Sequence, residues 1–224
     1  MNELVLALHV SELSKQDALP EGLCGFDLTE VDPHAYAMLP RHIADNKKDM
    51  LEQSLRLARV FPQILGYFQI VNPDGSILTY QRKGKEKGLL GKWSIGVGGH
   101  VSHDDFLCVA DSNWEELPAF LDILFEGSKR ELEEELGINA DWLEQFNSPD
   151  DFAEAIKSII HSWEDDTSKM HLGLPMRIEL SEHMLDSLNL EPAEFLNYQW
   201  LTPDELKLSG LEFETWSTIL IDNM

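Results

Sequence analysis

Basic residues are scarce in this chain. Only 17 Lys and Arg stand against 41 Asp and Glu, a net charge of −24 over 224 residues. A surplus of that sign repels polyanions, so no nucleic-acid polymer and no anionic membrane is expected as a partner. Small phosphorylated substrates stay compatible, because divalent cations neutralise both the substrate and the carboxylates that receive it. Cysteine is scarcer still. Cys24 and Cys108 are the only two and lack metal-type spacing, which argues against a disulfide framework and a structural zinc site and fits a reducing compartment. No apolar run approaches the roughly 20 residues of a membrane span. The opening Met1–Leu8 stretch has no basic flank and reads as a strand, not a signal peptide, so the expected location is cytoplasmic. The rest is ordinary: 43% hydrophobic and 26% charged residues suit one well-cored globular domain with embellishments.

The periodicity of apolar residues divides the chain. Glu3–Val10 reads as a strand, and the segment from there to Pro40 is rich in turn formers with no clear period. Ile43–Val60 reads as an amphipathic helix. Gln63–Val71 and Ser76–Gln81 are β-rich around the turn signal Asn72-Pro73-Asp74-Gly75, which predicts a hairpin. Trp93–Gly99 is a further strand, ending in two glycines. A long helix is expected to begin near Pro118, with Ser112 and Glu115 at capping-box spacing upstream, and to stop at Leu136 with Gly137 as its left-handed cap. Ala155–Trp163, His171–Leu180 and Phe195–Leu201 are β-like. Thr202-Pro203-Asp204-Glu205 opens a short helix, and a last helix covers Glu212–Ile221.

One nine-residue run concentrates the chemistry: Arg130-Glu131-Leu132-Glu133-Glu134-Glu135-Leu136-Gly137-Ile138. On a helix, Glu131, Glu134 and Glu135 stand at i, i+3 and i+4, so their carboxylates share a face, while Glu133 points elsewhere. Like charges at that spacing destabilise a bare helix by a few tenths of a kcal/mol per pair. A cation would offset the repulsion, and hard oxygen donors favour Mg²⁺ or Mn²⁺. A solvent-facing acidic turn is the plainer reading, but it does not account for the accompanying Arg, the spaced apolar residues and the terminal Gly.

Gly99, an acid six positions later at Asp105, and the pattern Arg-Glu-apolar-x-Glu-Glu-x-Gly-apolar together resemble the Nudix box. Chance would produce the seven-position core in a chain of this length with a probability on the order of 10⁻⁴. A weaker similarity, carried by segments such as Tyr80-Gln81-Arg82, Gly91–His100 and His171–Leu174, extends to a bacterial subgroup labelled predicted phosphoesterase. The resemblance implies an α/β fold, a Nudix-type α/β/α sandwich with a mixed sheet. Residues 61–224 would form the catalytic domain, and 1–60 an N-terminal extension packed on it. It further implies Glu131, Glu134 and Glu135 as metal ligands, with Glu131 alternatively orienting the attacking water. The Gly99 carbonyl would complete the shell, and Arg130 would grip one of these carboxylates. Gly127 and Ser128 fall where the family has small residues. The spacing departs from the family: Asp105 stands where Glu is usual, and an insertion at about 106–122 separates the loop from the helix.

The activity implied is divalent-metal-dependent hydrolysis of a phosphoanhydride in a small nucleoside diphosphate-linked substrate. The alternative is a catalytically weak Nudix-fold module that senses a nucleotide. Family habit adds a homodimer. The family's general base comes from a later, variable loop, where Glu191 and Glu194 are the candidates; exposed loop acids would look the same. Arg82–Gly88 carries four cations and reads as a solvated loop or a phosphate-facing one. His100 and His103 read as packed loop histidines, His171 as a core histidine, and Glu164-Asp165-Asp166 as a solvated turn.

Overall fold

The computed structural model describes residues 3–15, 21–41, 48–83, 89–110, 116–137, 146, 148–188, 190 and 195–224. Its centre is a pair of long parallel strands, β4 (Gln63–Val71) and β8 (His171–Glu179), in register along their whole length from Gln63 opposite His171 to Val71 opposite Glu179. Both strands are almost continuously buried, with only Arg177 and Glu179 exposed, as strands covered on two faces are. Beyond β8 lie β7 (Ser158–His161) and β2 (Gly22–Gly25), and beyond β4 lie β1 (Leu4–Leu8) and β3 (Tyr36–Pro40), giving the order β2-β7-β8-β4-β1-β3. A second branch pairs β5 (Ile77–Arg82) with β6 (Trp93–Ser94) and β9 (Phe195–Leu201).

Two expectations change here. The Asn72–Gly75 turn forms, with Gly75 at a φ of 85° and Asn72 N–H donating to Ser76 O at 2.8 Å. Yet β4 and β5 share only the Val71–Ile77 pair; β4 then pairs with β8 and β5 with β9, so no long hairpin results. The first forty residues supply β1, β2 and β3 to the same sheet, and β1 lies between β3 and β4. Their turn-rich sequence conceals short strands whose pairing is entirely non-local.

Helices cover both faces. Neighbouring residues of β4 point to opposite sides: Phe68 joins a cluster with Leu6, Ile123, Leu132 and Phe152, and Tyr67 joins one with Ile77, Trp216 and Leu220. The first face carries α3 (His103–Val109), α4 (Phe120–Leu136) and α5 (Pro149–Ala155); α5 starts inside a stretch with no helical expectation. The second carries α8 (Thr215–Asp222). The remaining helices are α1 (Val10–Lys15), α2 (Lys48–Ala58), α6 (Glu182–Ser187) and α7 (Pro203–Leu208), the last with a Thr202–Glu205 capping box. No helix among the described residues is long and apolar enough to cross a membrane.

Candidate active site

Helix α4 is positioned by its sequence at one end and by the fold at the other. Phe120, Ile123, Leu124, Gly127, Ser128, Leu132 and Leu136 are buried at three- and four-residue spacing. Gly137, at a φ of 62°, ends the helix with its N–H donating to Glu133 O. The first turn has no side-chain cap at Ala119. A distant segment serves it instead: Phe120 N–H donates to Pro33 O, and the Tyr36 hydroxyl to Pro118 O, each at 2.8 Å. Ser112 and Glu115 lie outside the described residues.

Arg130 organises the site. Its Nε and Nη2 grip Asp105 at 2.7 and 3.0 Å, and Nη2 also donates to His100 O at 2.9 Å. Its Nη1 lies 2.8 Å from Glu131 and 2.9 Å from Glu134. The bidentate grip therefore goes to Asp105 across the insertion, and the helix glutamates receive single contacts. Asp105 is buried and holds the N3 position of α3, where it accepts from Ser102 N–H and Ser102 Oγ in a capping box. The insertion begins as a helix and leaves the pairing of acid and arginine intact. Arg130 has its pKa raised by the Asp105 hydrogen bonds, against the opposing effect of burial, with Glu131 adding to the rise.

The Glu131 side chain keeps only 14% of its exposure, against 61% for Glu134. Burial pushes its carboxyl above the usual range; Arg130 opposes that shift, while Glu134 and Asp105 reinforce it. Its carboxylate rests against Gly99, where any Cβ would collide with it. Gly98 comes so close to the Gly66 carbonyl that a Cβ would clash with backbone. At Gly127 a Cβ would lie 2.7 Å from Val101 Cγ1, so helix and loop pack without space for a methyl group. Glu133 is exposed. Glu135 faces the other branch of the sheet, where its charge helps raise the pKa of Tyr80 and of Arg82. Burial is the main cause at Tyr80, whose pKa reaches about 12.

No three His, Cys, Asp or Glu side chains among the described residues are already gathered around a point that would hold a metal. The donor chemistry nevertheless suits a hard cation. A half-buried carboxylate, Glu131, lies against Gly99 where a side chain would collide with it, and the exposed Glu134 carboxylate shares its Arg130 Nη1 partner. Glu191 and Glu194 fall outside the described residues, as do positions 84–88 of the cationic loop and Ile138. Asp165 is engaged by Ser168 and Thr215 and Asp166 by Lys169, and Trp163 is exposed. His100 and His171 are both buried. They meet each other and Gln63, a grouping that sequence reasoning missed because the three positions are far apart in the chain.

With this geometry in view, the known proteins fall into place. No family model matches the chain. Among curated proteins it is 23% identical over 227 residues to YmaB of Bacillus subtilis, spanning 99% of this chain and 97% of that protein. Among solved structures it superposes on Tm1382, a candidate Nudix hydrolase, with a TM-score of 0.61 at 18% identity, covering 99% and 97% of the two chains. The fold is thus the Nudix one, a mixed sheet between helices, in agreement with the resemblance of the Gly99–Gly137 pattern.

Proposed function

We propose that this protein is a divalent-metal-dependent hydrolase that cleaves a phosphoanhydride bond in a small nucleoside diphosphate-linked substrate. The observation that carries the reading is the Arg130 group: one guanidinium joins Asp105, Glu131, Glu134 and the His100 carbonyl, and sets the Glu131 carboxylate against Gly99. Glu131, Glu134, Glu135 and the Gly99 carbonyl would hold Mg²⁺ or Mn²⁺. Such an ion withdraws charge from phosphoryl oxygens and makes a bound water more acidic.

The chain's own residues supply the remaining requirements. Arg130, anchored by two bonds to a buried acid, presents its Nη1 to both Glu131 and Glu134. Glu131 would either join that shell or orient the attacking water. Glu191 and Glu194 stay as candidate bases from the later loop, and a small phosphorylated partner suits an acidic surface only in the company of cations.

The sensor reading draws on one specific feature, that Arg130 Nη1 already engages Glu131 and Glu134. A release assay separates the two. Dinucleotides, nucleoside triphosphates and nucleotide sugars are incubated with Mg²⁺ or Mn²⁺, beside Glu134→Gln and Glu135→Gln. Metal-dependent turnover of at least one compound, reduced at least about a hundredfold in both variants, is the expected result. Metal-dependent binding without product on the whole panel would replace the hydrolase with the sensor.

A further inference from the structure

Three side chains outside the Arg130 ion-pair group converge at the leading ends of β4 and β8. Gln63 and His171 are register partners in the parallel ladder, and His100 is brought alongside by its bridge to Leu65. All three are buried, with exposures of 1%, 4% and 7% for Gln63, His171 and His100. His100 Nε2 lies 3.0 Å from His171 Nε2, and each of these nitrogens lies 3.1 Å from Gln63 Oε1. The three atoms form a nearly equilateral triangle.

Hydrogen bonds cannot occupy all three sides of such a triangle at once. His171 Nδ1 lies 2.7 Å from Thr167 O, which can only accept, so that nitrogen carries a proton and the neutral ring presents a lone pair at Nε2. Each imidazole Nε2 contributes at most one proton and Gln63 Oε1 contributes none, so three sides cannot each hold one. With His171 Nε2 bare, that lone pair faces the amide oxygen. Turning the amide over puts two N–H groups between the rings, but leaves either two lone pairs or two N–H groups opposed. Gln63 Nε2, also buried, has no hydrogen-bond partner among the described residues.

We propose that His100, His171 and Gln63 form a second metal site, for a divalent first-row transition ion of the Fe²⁺, Co²⁺ or Ni²⁺ kind. Adjacent corners of an octahedron with bonds of about 2.1 Å lie about 3.0 Å apart, whereas tetrahedral ligands at that length lie about 3.4 Å apart. The observed separations match one octahedral face. Two imidazoles and one amide oxygen, all neutral, favour these ions over Mg²⁺, which prefers charged or aqueous oxygens. The bond from His171 Nδ1–H to a backbone carbonyl is the outer support that metal-bound histidines characteristically have. The site is adjacent to the catalytic candidates without sharing side chains with them: His100 follows Gly99, and its carbonyl accepts from Arg130. An ion here pins the strand end that carries the Gly99–Glu131 contact.

The test uses the chain with Glu134→Gln and Glu135→Gln, which weakens the carboxylate site, stripped by a chelator and titrated with Co²⁺. The expected result is one Co²⁺ per chain, a rise in melting temperature, and a strongly shifted exchangeable proton resonance from the His171 Nδ1–H. Adding His171→Gln is expected to remove that resonance and weaken binding at least about tenfold. Absence of Co²⁺ binding up to roughly 1 mM, or binding indifferent to His171→Gln, overturns the site. Should His171→Gln fail to fold, Gln63→Glu decides: a charged oxygen at the same corner is expected to tighten Co²⁺ about tenfold, and unchanged or weaker binding overturns the proposal.

Discussion

Glycine at position 99 is a requirement of the site and not of the chain's flexibility. The Glu131 carboxylate occupies the space that a Cβ would need, and that carboxylate is the far end of a side chain that can swing away. Gly99→Ala is therefore expected to leave the fold in place and displace Glu131. Unfolding free energy should change by less than about 1 kcal/mol, while turnover falls at least about tenfold. Denaturant titration beside the release assay measures both. Equal losses in the two would mean that Gly99 serves packing alone. Arg130 carries the opposite lesson. Its partners Asp105 and the His100 carbonyl are 25 and 30 positions away, so the motif displays the arginine, and the fold selects what it grips.

At the scale of elements, α8 is tied to the turn before β8. Asp165 accepts from Ser168 N–H at 2.8 Å, from Ser168 Oγ at 2.6 Å and from Thr215 Oγ1, in the first turn of α8, at 2.9 Å. Burial alone would raise its pKa, but the hydrogen bonds from Ser168 and Thr215 prevail and hold it below the usual carboxylate value. The folded state thus binds the proton less tightly than the unfolded chain does. The resulting stability is fully present above about pH 4–5 and is lost as the pH falls through the folded pKa. Asp165→Asn is expected to cost about 1–2 kcal/mol at pH 7 and much less near pH 3, read from urea unfolding at the two pH values. A pH-independent cost would assign the effect to shape, not charge. The same turn read from sequence as a solvated acidic run: each acid is local, and Thr215 is not. At the second end of α8's fastening, buried Glu214 caps the helix and accepts from the Tyr67 hydroxyl on β4.

For the whole molecule the dominant quantity is the charge of −24. Described ion pairs are few beside 41 acids, so the compact state works against its own repulsion. Raising NaCl from roughly 20 to 300 mM shortens the screening length from about 20 Å to below 6 Å and is expected to raise the melting temperature by several degrees. A flat or falling melting curve would show that attractive pairs outweigh the net charge.

Features that depend on neighbours along the chain are legible in the residues themselves. The left-handed Gly137 cap, the Thr202 capping box and the turn at Gly75 follow from local sequence, because each is a matter of a few consecutive residues. Features that depend on pairing come from the folded arrangement: β4 beside β8 instead of β5, β1 inside the sheet, Pro33 and Tyr36 satisfying the start of α4, Asp105 in the fork of Arg130, and Gln63, His100 and His171 at one point. Local preferences are intrinsic to short segments. Non-local contacts form when burial of both sheet faces repays the closure of long loops, a balance that no short window of residues contains.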